Sequence, residues 1–387
     1  MKARQRTVVM VCSQMPPVYG GAGAQATLLA SRLAGRGWLV TALTLDQAGV
    51  GSSCDGRVRV RRILRGWQPA GAISRGLSSL ALGSAAFAHI LFARPRAVHV
   101  HGAYWWSIPP VLAGRLVRAR VIVKTTRDGE DDPQTVYSRR VGLLPLGWLY
   151  GLSLRLAHVV VTLSEQSRRR AIEAGLEAKV RLIPNGVDEA RFTRTPARRR
   201  DARAKLGLRS GTRMVLFVGY LVRHKGIVDL LEAWRLLDDR AAQLWLVGPL
   251  DGFYRELDGD LPSQLQGLID DGFAVRTLGH QPADTLPDYY FAADVFALPS
   301  YAEGMPNALA EALVAGCQVV ATKIPGIVDL IDENLDQLIT PGDVPTLAAR
   351  LRDGLAGRPG AYLSKVDTLG IESVAGVYER IYLGGES

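Results

Sequence analysis

Residues 300–331 read SYAEGMPNALAEALVAGCQVVATKIPGIVDLI. A run of strand composition, 294–298 (DVFAL), comes just before them, and residues 307–315 carry a helical pattern. Glu303 therefore falls in a strand-to-helix loop, and Glu311 about one turn into the helix. Gly304 lets the backbone turn tightly. Pro306 suits a helix start, where its missing N–H costs nothing. The N–H groups of that first turn, backed by a helix dipole of about half a charge, suit an anion. A loop carboxylate, an anion-binding helix start and a second carboxylate then share one small surface. A ligand with a hydroxyl-rich part, a phosphate and a second hydroxyl-rich part matches it, and a nucleotide-sugar has that shape. The bare spacing of two glutamates, taken alone, is more often two solvated side chains on one helix.

Working outward, 387 residues suggest two domains, and a hydrophobic content of 48% supports sizeable cores. Cys12, Cys54 and Cys317 are far apart and show no zinc or redox spacing, so a reducing cytoplasmic setting fits. The apolar run Val8 to Cys12 is too short for a signal peptide and reads as a first core strand. Residues 1–190 carry 26 Lys+Arg against 11 Asp+Glu, a balance of +15, and residues 191–387 carry 21 against 26, a balance of −5. That asymmetry points to an anionic partner for the first half. No nucleic-acid-binding motif is present, which leaves peripheral contact with an anionic membrane surface or an anionic acceptor. Arginine enrichment from a GC-rich genome would give the same numbers.

Strand-like runs at 7–13, 38–45, 58–64, 97–101, 121–124 and 159–163 alternate with helical ones, and 180–183 follows. After the first comes a loop with Gly20, Gly21 and Gly23, then a helix over 24–34, an arrangement that can bring backbone N–H groups to a phosphate. Residues 76–93 are apolar and near the lower limit for a membrane span; the expectation is a buried helix. His99 and His101 share one strand face, His99 as a core residue and His101 at the strand's end, where doubly wound sheets open onto ligands. Tyr104, Trp105 and Trp106 suit stacking on a sugar, lipid contact or core. Residues 125–133 (TTRDGEDDP, including Asp128) form a polar loop, and 141–157 suit either a membrane-surface element or core. Residues 191–209 are Arg-rich and read as the interdomain connection. Strands follow at 214–218, 243–247, 274–278, 294–298, 318–321 and 337–340, with helices at 227–237 and 369–382. Between the first of these strands and the helix at 227–237 lie Arg223, His224 and Lys225, cations that could neutralise a diphosphate.

The string PSYAEGMPNALAEALVAG (299–316) is similar to the donor-site motif of retaining glycosyltransferases of the GT-B fold, family 4. PPVYGGAGAQATLLASRLAGRGWLVTALT (16–44), VHVHG (98–102), IPNGVD (183–188) and VRTLGH (275–280) resemble further segments of that family. The resemblance implies an α/β architecture of two doubly wound, Rossmann-like domains facing across a cleft. The boundaries it suggests are 1–190, a linker at 191–210, 211–370, and a terminal helix in 371–387 crossing back to the first domain. It implies metal-independent transfer of a sugar with retention from a UDP- or GDP-linked donor to a glycan or lipid-linked acceptor. No cofactor is implied, and the setting is cytoplasmic, at the inner face of the membrane. By resemblance Glu311 holds the ribose hydroxyls and Glu303 the hydroxyls of the transferred sugar. Lys225 and Arg223, with backbone N–H groups around Gly304, Met305, Asn307 and Ala308, hold the diphosphate. Gly20 and Gly21 lie near the phosphates, and His101 lies beside the transferred sugar. Where the family usually has arginine, this chain has Tyr220, and Arg223 could take over that charge. A nucleotide-sugar epimerase or hydrolase of similar shape, and a donor-binding protein without activity, are the alternatives.

Overall fold

The computed structural model describes residues 6–18, 20–68, 71–126, 130–140, 147–249, 261–331, 334–358 and 366–385. The chain divides into two compact units: residues 1–186 with 368–387, and residues 187–367.

The first unit is built on β1 (Thr7–Cys12), β2 (Leu39–Leu45), β3 (Ser53–Asp55), β4 (Val58–Ile63), β5 (Ala97–His101), β6 (Arg120–Lys124), β7 (Val159–Thr162) and β8 (Val180–Leu182). They form one sheet in the order β3-β4-β2-β1-β5-β6-β7-β8, with β3 antiparallel to β4 and the others parallel. Strands β1, β5, β6 and β7 are near-continuous apolar runs because both sheet faces are covered. One face carries helices Ala72–Ala93, Ile108–Leu116 and Leu152–Leu156 over Val9, Val11, Val98, Val100, Val121 and Val123. The other carries helix Gly21–Gly35 and the terminal helix Ile371–Leu383 over Val8, Met10, Ala97 and Ile122. Arg36 and Trp38 donate to Glu379 at 3.2 Å each, and Arg6 does so at 2.8 Å, fixing the terminal helix to this unit.

The second unit holds β9 (Arg213–Val218), β10 (Ala242–Val247), β11 (Ala274–Thr277), β12 (Val295–Leu298) and β13 (Gln318–Ala321). They form a fully parallel sheet in the order β11-β10-β9-β12-β13. In each sheet the strand order reverses direction once, at β1 and at β9. In open α/β sheets, ligands bind beyond the strand ends at that reversal. The Gly20 loop follows β1, His101 ends β5, the 219–226 loop follows β9 and Glu303 follows β12.

Several expectations are corrected. The stretch 191–210, expected as the linker, carries parts of helices Glu189–Phe192 and Pro196–Lys205 and falls within the second unit. Their arginines serve as caps. Arg199 donates to Asp294 at 2.6 Å and to the carbonyl oxygens of Phe291 and Ala293, and Arg203 donates to that of Ala292. Strand 337–340 does not form; a 3₁₀ turn covers Leu335–Gln337, and one bridge joins Ile339 to Thr322. Helix Ala72–Ala93 is not wholly buried: Leu82, Ala86 and Ile90 enter the core, while Ile73, Leu77, Leu80 and Phe92 stay exposed. The first helix starts at Gly21, earlier than position 24. Residues 147–157 contribute short helices Gly147–Tyr150 and Leu152–Leu156; the rest of the 141–157 run and Asp128 lie outside the described residues.

Candidate active site

In the second unit, two loops at neighbouring strand ends are locked together. After β9 the chain forms a 3₁₀ turn, Arg223–Lys225, and leaves it through Gly226 at φ 71°. A Cβ on Gly226 would fall 1.9 Å from the Pro299 carbonyl oxygen, so only glycine fits. The Tyr301 N–H donates to the His224 carbonyl at 2.8 Å, and the Tyr301 hydroxyl donates to Asp229 at 2.7 Å. Across this clasp Lys225 Nζ donates to both carboxylate oxygens of Glu303, at 2.6 and 2.8 Å. The Ser300 hydroxyl donates to the same carboxylate at 2.8 Å. The Glu303 side chain is 8% exposed and that of Lys225 20%, so the pair is shielded but reachable. An ammonium has three N–H donors. Two are engaged by Glu303 among the described residues, so the third can meet an incoming oxygen.

Behind this loop stands Gly326, in the short helix Pro325–Val328. A Cβ there would lie 2.4 Å from the Glu303 carbonyl oxygen and 2.6 Å from that of Gly304. Gly326→Ala is expected to push the loop off its seat and to destabilise the protein by about 1–3 kcal/mol, the usual range for overpacking. Denaturant unfolding reads the loss directly; an unchanged midpoint would show that the loop gives way freely.

Helix Asn307–Val314 follows, with Pro306 at its N-cap. The first N–H groups of a helix have no partner within it. Glu311 sits on this helix and accepts from the Tyr290 hydroxyl at 2.8 Å. Burial pushes its carboxyl up to about 7, against the opposing pulls of Tyr290 and the Arg191 charge. Arg191 was not singled out in the sequence; its Nη2 is buried with no hydrogen-bond partner among the described residues. Met305 is buried, Gly304, Asn307 and Ala308 are half-buried, and Arg223 is exposed. Thus Lys225 and Glu303 are joined directly, while Glu311 holds a separate partner.

In the first unit, His101 ends β5 between Cys12 on β1 and Lys124 on β6, each its register partner. Its ring stacks on His99 at 4.2 Å between centroids. His99 Nδ1 lies 2.7 Å from the Tyr382 hydroxyl of the terminal helix, a core arrangement. His101 is buried, and among the described residues neither of its ring nitrogens has a hydrogen-bond partner. Burial first, and then the Lys124 charge, lower its pKa to about 3, so the imidazole is neutral. Lys124 is itself buried, its pKa lowered to about 7, and Nζ donates to Asn185 Oδ1 at 2.7 Å. No spacing signal could find this contact, since β6 and the IPNGVD turn meet only through the sheet. Gly20 caps helix Gly21–Gly35 in extended backbone, and Gly21 opens it. The glycine that needs its missing side chain is Gly23, where a Cβ would lie 2.4 Å from the Gln14 carbonyl oxygen. Among the described residues no cluster of His, Cys, Asp and Glu could hold a metal ion.

Residues 20–186 match the family described as glycosyl transferase 4-like domain, and residues 212–356 match glycosyl transferases group 1. A D-inositol 3-phosphate glycosyltransferase of Nocardiopsis dassonvillei is 29% identical over 64% of this chain and 59% of its own length. A 2-deoxystreptamine glucosyltransferase of Streptomyces kanamyceticus is 27% identical over 75% of this chain and 78% of its own. For three of the curated relatives, the match spans only 45–61% of the relative's length. Sucrose-phosphate synthase of Thermosynechococcus elongatus shares the fold, with TM-score 0.73, 21% identity and coverage of 98% and 99%. So does Anabaena HepE, solved in complex with UDP-glucose, with TM-score 0.67, 20% identity and coverage of 97% and 94%. With two doubly wound parallel sheets, and with both family matches falling on them in order, the chain belongs to the GT-B glycosyltransferases of group 1, family 4.

Proposed function

We propose that the protein transfers a sugar, with retention at the anomeric carbon, from a UDP- or GDP-linked donor to a glycan or lipid-linked acceptor, in the cytoplasm at the inner membrane face. The observation that carries this reading is the shielded Lys225–Glu303 pair at the head of the helix bearing Glu311. It provides a cation for a diphosphate beside a carboxylate for sugar hydroxyls, with a second carboxylate beyond it. The UDP-glucose bound by the fold neighbour HepE is a donor of that form.

In this reading Lys225, helped by Arg223, takes negative charge from the leaving diphosphate, and the N–H groups around Gly304, Met305, Asn307 and Ala308 add fixed dipoles. Glu303 accepts hydroxyls of the transferred sugar and Glu311 those of the ribose. His101, neutral and with neither nitrogen partnered among the described residues, offers lone-pair density to the positive charge that develops on the sugar. Gly20 and Gly21 border the phosphates. No side chain in this set is placed as a nucleophile, which favours front-face attack by the acceptor with the leaving phosphate as base. None of these roles calls for a metal or other cofactor.

A thermal-shift screen of nucleotide-sugars tests the donor, because ligand at about a hundred times Kd stabilises the folded state by about 2.7 kcal/mol. The stabilising donor should then be consumed only when acceptor is present, giving a product with the donor's anomeric configuration by NMR. Equal donor turnover without acceptor would point instead to a hydrolase or epimerase.

A further inference from the structure

The outer layer of the first unit has a surface that carries none of the residues assigned to sugar transfer. On helix Ala72–Ala93 the exposed positions include Ile73, Leu77, Leu80, Ser84, Ala88 and Phe92, spaced by three or four residues. They make a single stripe about 28 Å long at 1.5 Å per residue. Four of these side chains are large and open: Ile73 is 82% exposed, Leu77 56%, Leu80 51% and Phe92 95%. Helix Ile108–Leu116 packs beside it and exposes Leu112 and Leu116. Between Asp55 and Asp128 the sequence contains no Asp or Glu at all, against thirteen Arg and Lys. Arg75 and Arg94 flank the stripe's ends, and Arg115 and Arg118 end the neighbouring helix; all four are exposed.

We propose that this face docks on the surface of an anionic lipid bilayer, with the Ile73–Phe92 stripe in the headgroup–acyl boundary and the arginines on the headgroups. An apolar helix face with arginines at its ends, in a stretch of sequence without acidic residues, suits that interface. Each arginine near an anionic surface contributes about 1 kcal/mol. The helix lies on the membrane and does not cross it, because its other face belongs to the core. Leu82, Ala86 and Ile90 are buried, and a Cβ on Gly83 would sit 3.0 Å from the Trp106 carbonyl oxygen. A second copy of the chain is a poor occupant, since a two-fold contact would set the same arginine rim against itself. The surface deepens the proposed lipid-linked acceptor but uses no donor-site residue, so lipid binding and donor binding fail separately.

The test is co-sedimentation of the full chain with vesicles of about 30% phosphatidylglycerol in phosphatidylcholine, at about 0.1 M salt, against phosphatidylcholine alone. The parent should bind the anionic vesicles at least about tenfold more strongly. Ile73→Ser/Leu77→Ser/Phe92→Ser should lower that binding by about tenfold or more, as buried apolar area is lost. Arg75→Gln/Arg94→Gln should remove the preference for anionic lipid. Melting temperature and nucleotide-sugar binding should be those of the parent in both variants, because every substituted side chain is exposed. Absent or charge-indifferent vesicle binding by the parent, or parental binding by the serine variant, would overturn the proposal. So would light scattering that shows a parental dimer split by the same serines, which would make the stripe a self-interface.

Discussion

Replacing Lys225 by alanine is expected to slow sugar transfer by about a hundredfold, the scale for losing one charged donor to a leaving group. Two losses coincide. The proposed diphosphate cradle loses its shielded cation, and Glu303 loses the partner that meets both of its oxygens. Ser300 still donates to that carboxylate, so the loop keeps part of its definition. Groups in direct contact do not contribute independently. Lys225→Ala combined with Glu303→Ala should therefore cost far less than the two separate losses added together. Initial rates at saturating donor measure the effect, and circular dichroism checks the fold. A parental rate in the single variant would remove Lys225 from the mechanism.

The second large effect concerns Glu311 and pH. Its folded pKa of about 7 stands above the ordinary 4.5, because burial disfavours the charged form. The folded state therefore keeps a proton that the unfolded chain gives up. The associated stability is whole below about 4.5 and fades as pH climbs from there through about 7. At about 1.4 kcal/mol per pKa unit, the full swing is at most about 3 kcal/mol, and smaller to the extent that the half-buried side chain meets water. Glu311→Gln has no charge to bury, so it should flatten this part of the profile: equal to the parent near pH 4.5 and more stable near pH 8. Transfer should move the other way. A carboxylate accepts two ribose hydroxyls better than an amide or a methyl group does. Glu311→Ala should lose more than about tenfold in transfer, near the cost of a hydrogen bond to a charged group. Parental donor affinity should rise between pH 6 and pH 8, which calorimetry can follow. Coincident stability profiles of parent and Glu311→Gln would show that the carboxyl is solvated after all.

The strand-to-helix context of Glu303 and Glu311 was legible because local signals coincide there: an apolar strand, a glycine, a proline and a helical run. The end-of-strand position of His101 was legible for the same reason. What escaped depends on contacts between distant segments. Lys124 looks like the last residue of an ordinary strand until Asn185, sixty-one positions later, meets its ammonium. Nothing around Gly326 in the sequence marks it, yet its role is to leave space for two carbonyl groups of a loop over twenty residues earlier. The Arg-rich stretch after Gly186 looked like a linker because composition records charge and not partners. Its guanidinium groups satisfy carbonyl oxygens at the end of helix Leu286–Ala292. Helix Ala72–Ala93 was apolar enough to suggest burial, but periodicity could not say which side the sheet would cover.

The terminal helix carries a lesson about ancestry and engineering. Because residues 371–383 seat against Trp38, His99 and Arg36, the first lobe is written in two separated pieces of the gene. A crossover at Gly186 alone would give the recombinant a foreign tail on a native seat, with Glu372 and Glu379 no longer guaranteed opposite their arginines. Exchange of donor specificity between relatives therefore calls for two junctions, near 186 and near 368, so that only the inserted lobe changes hands.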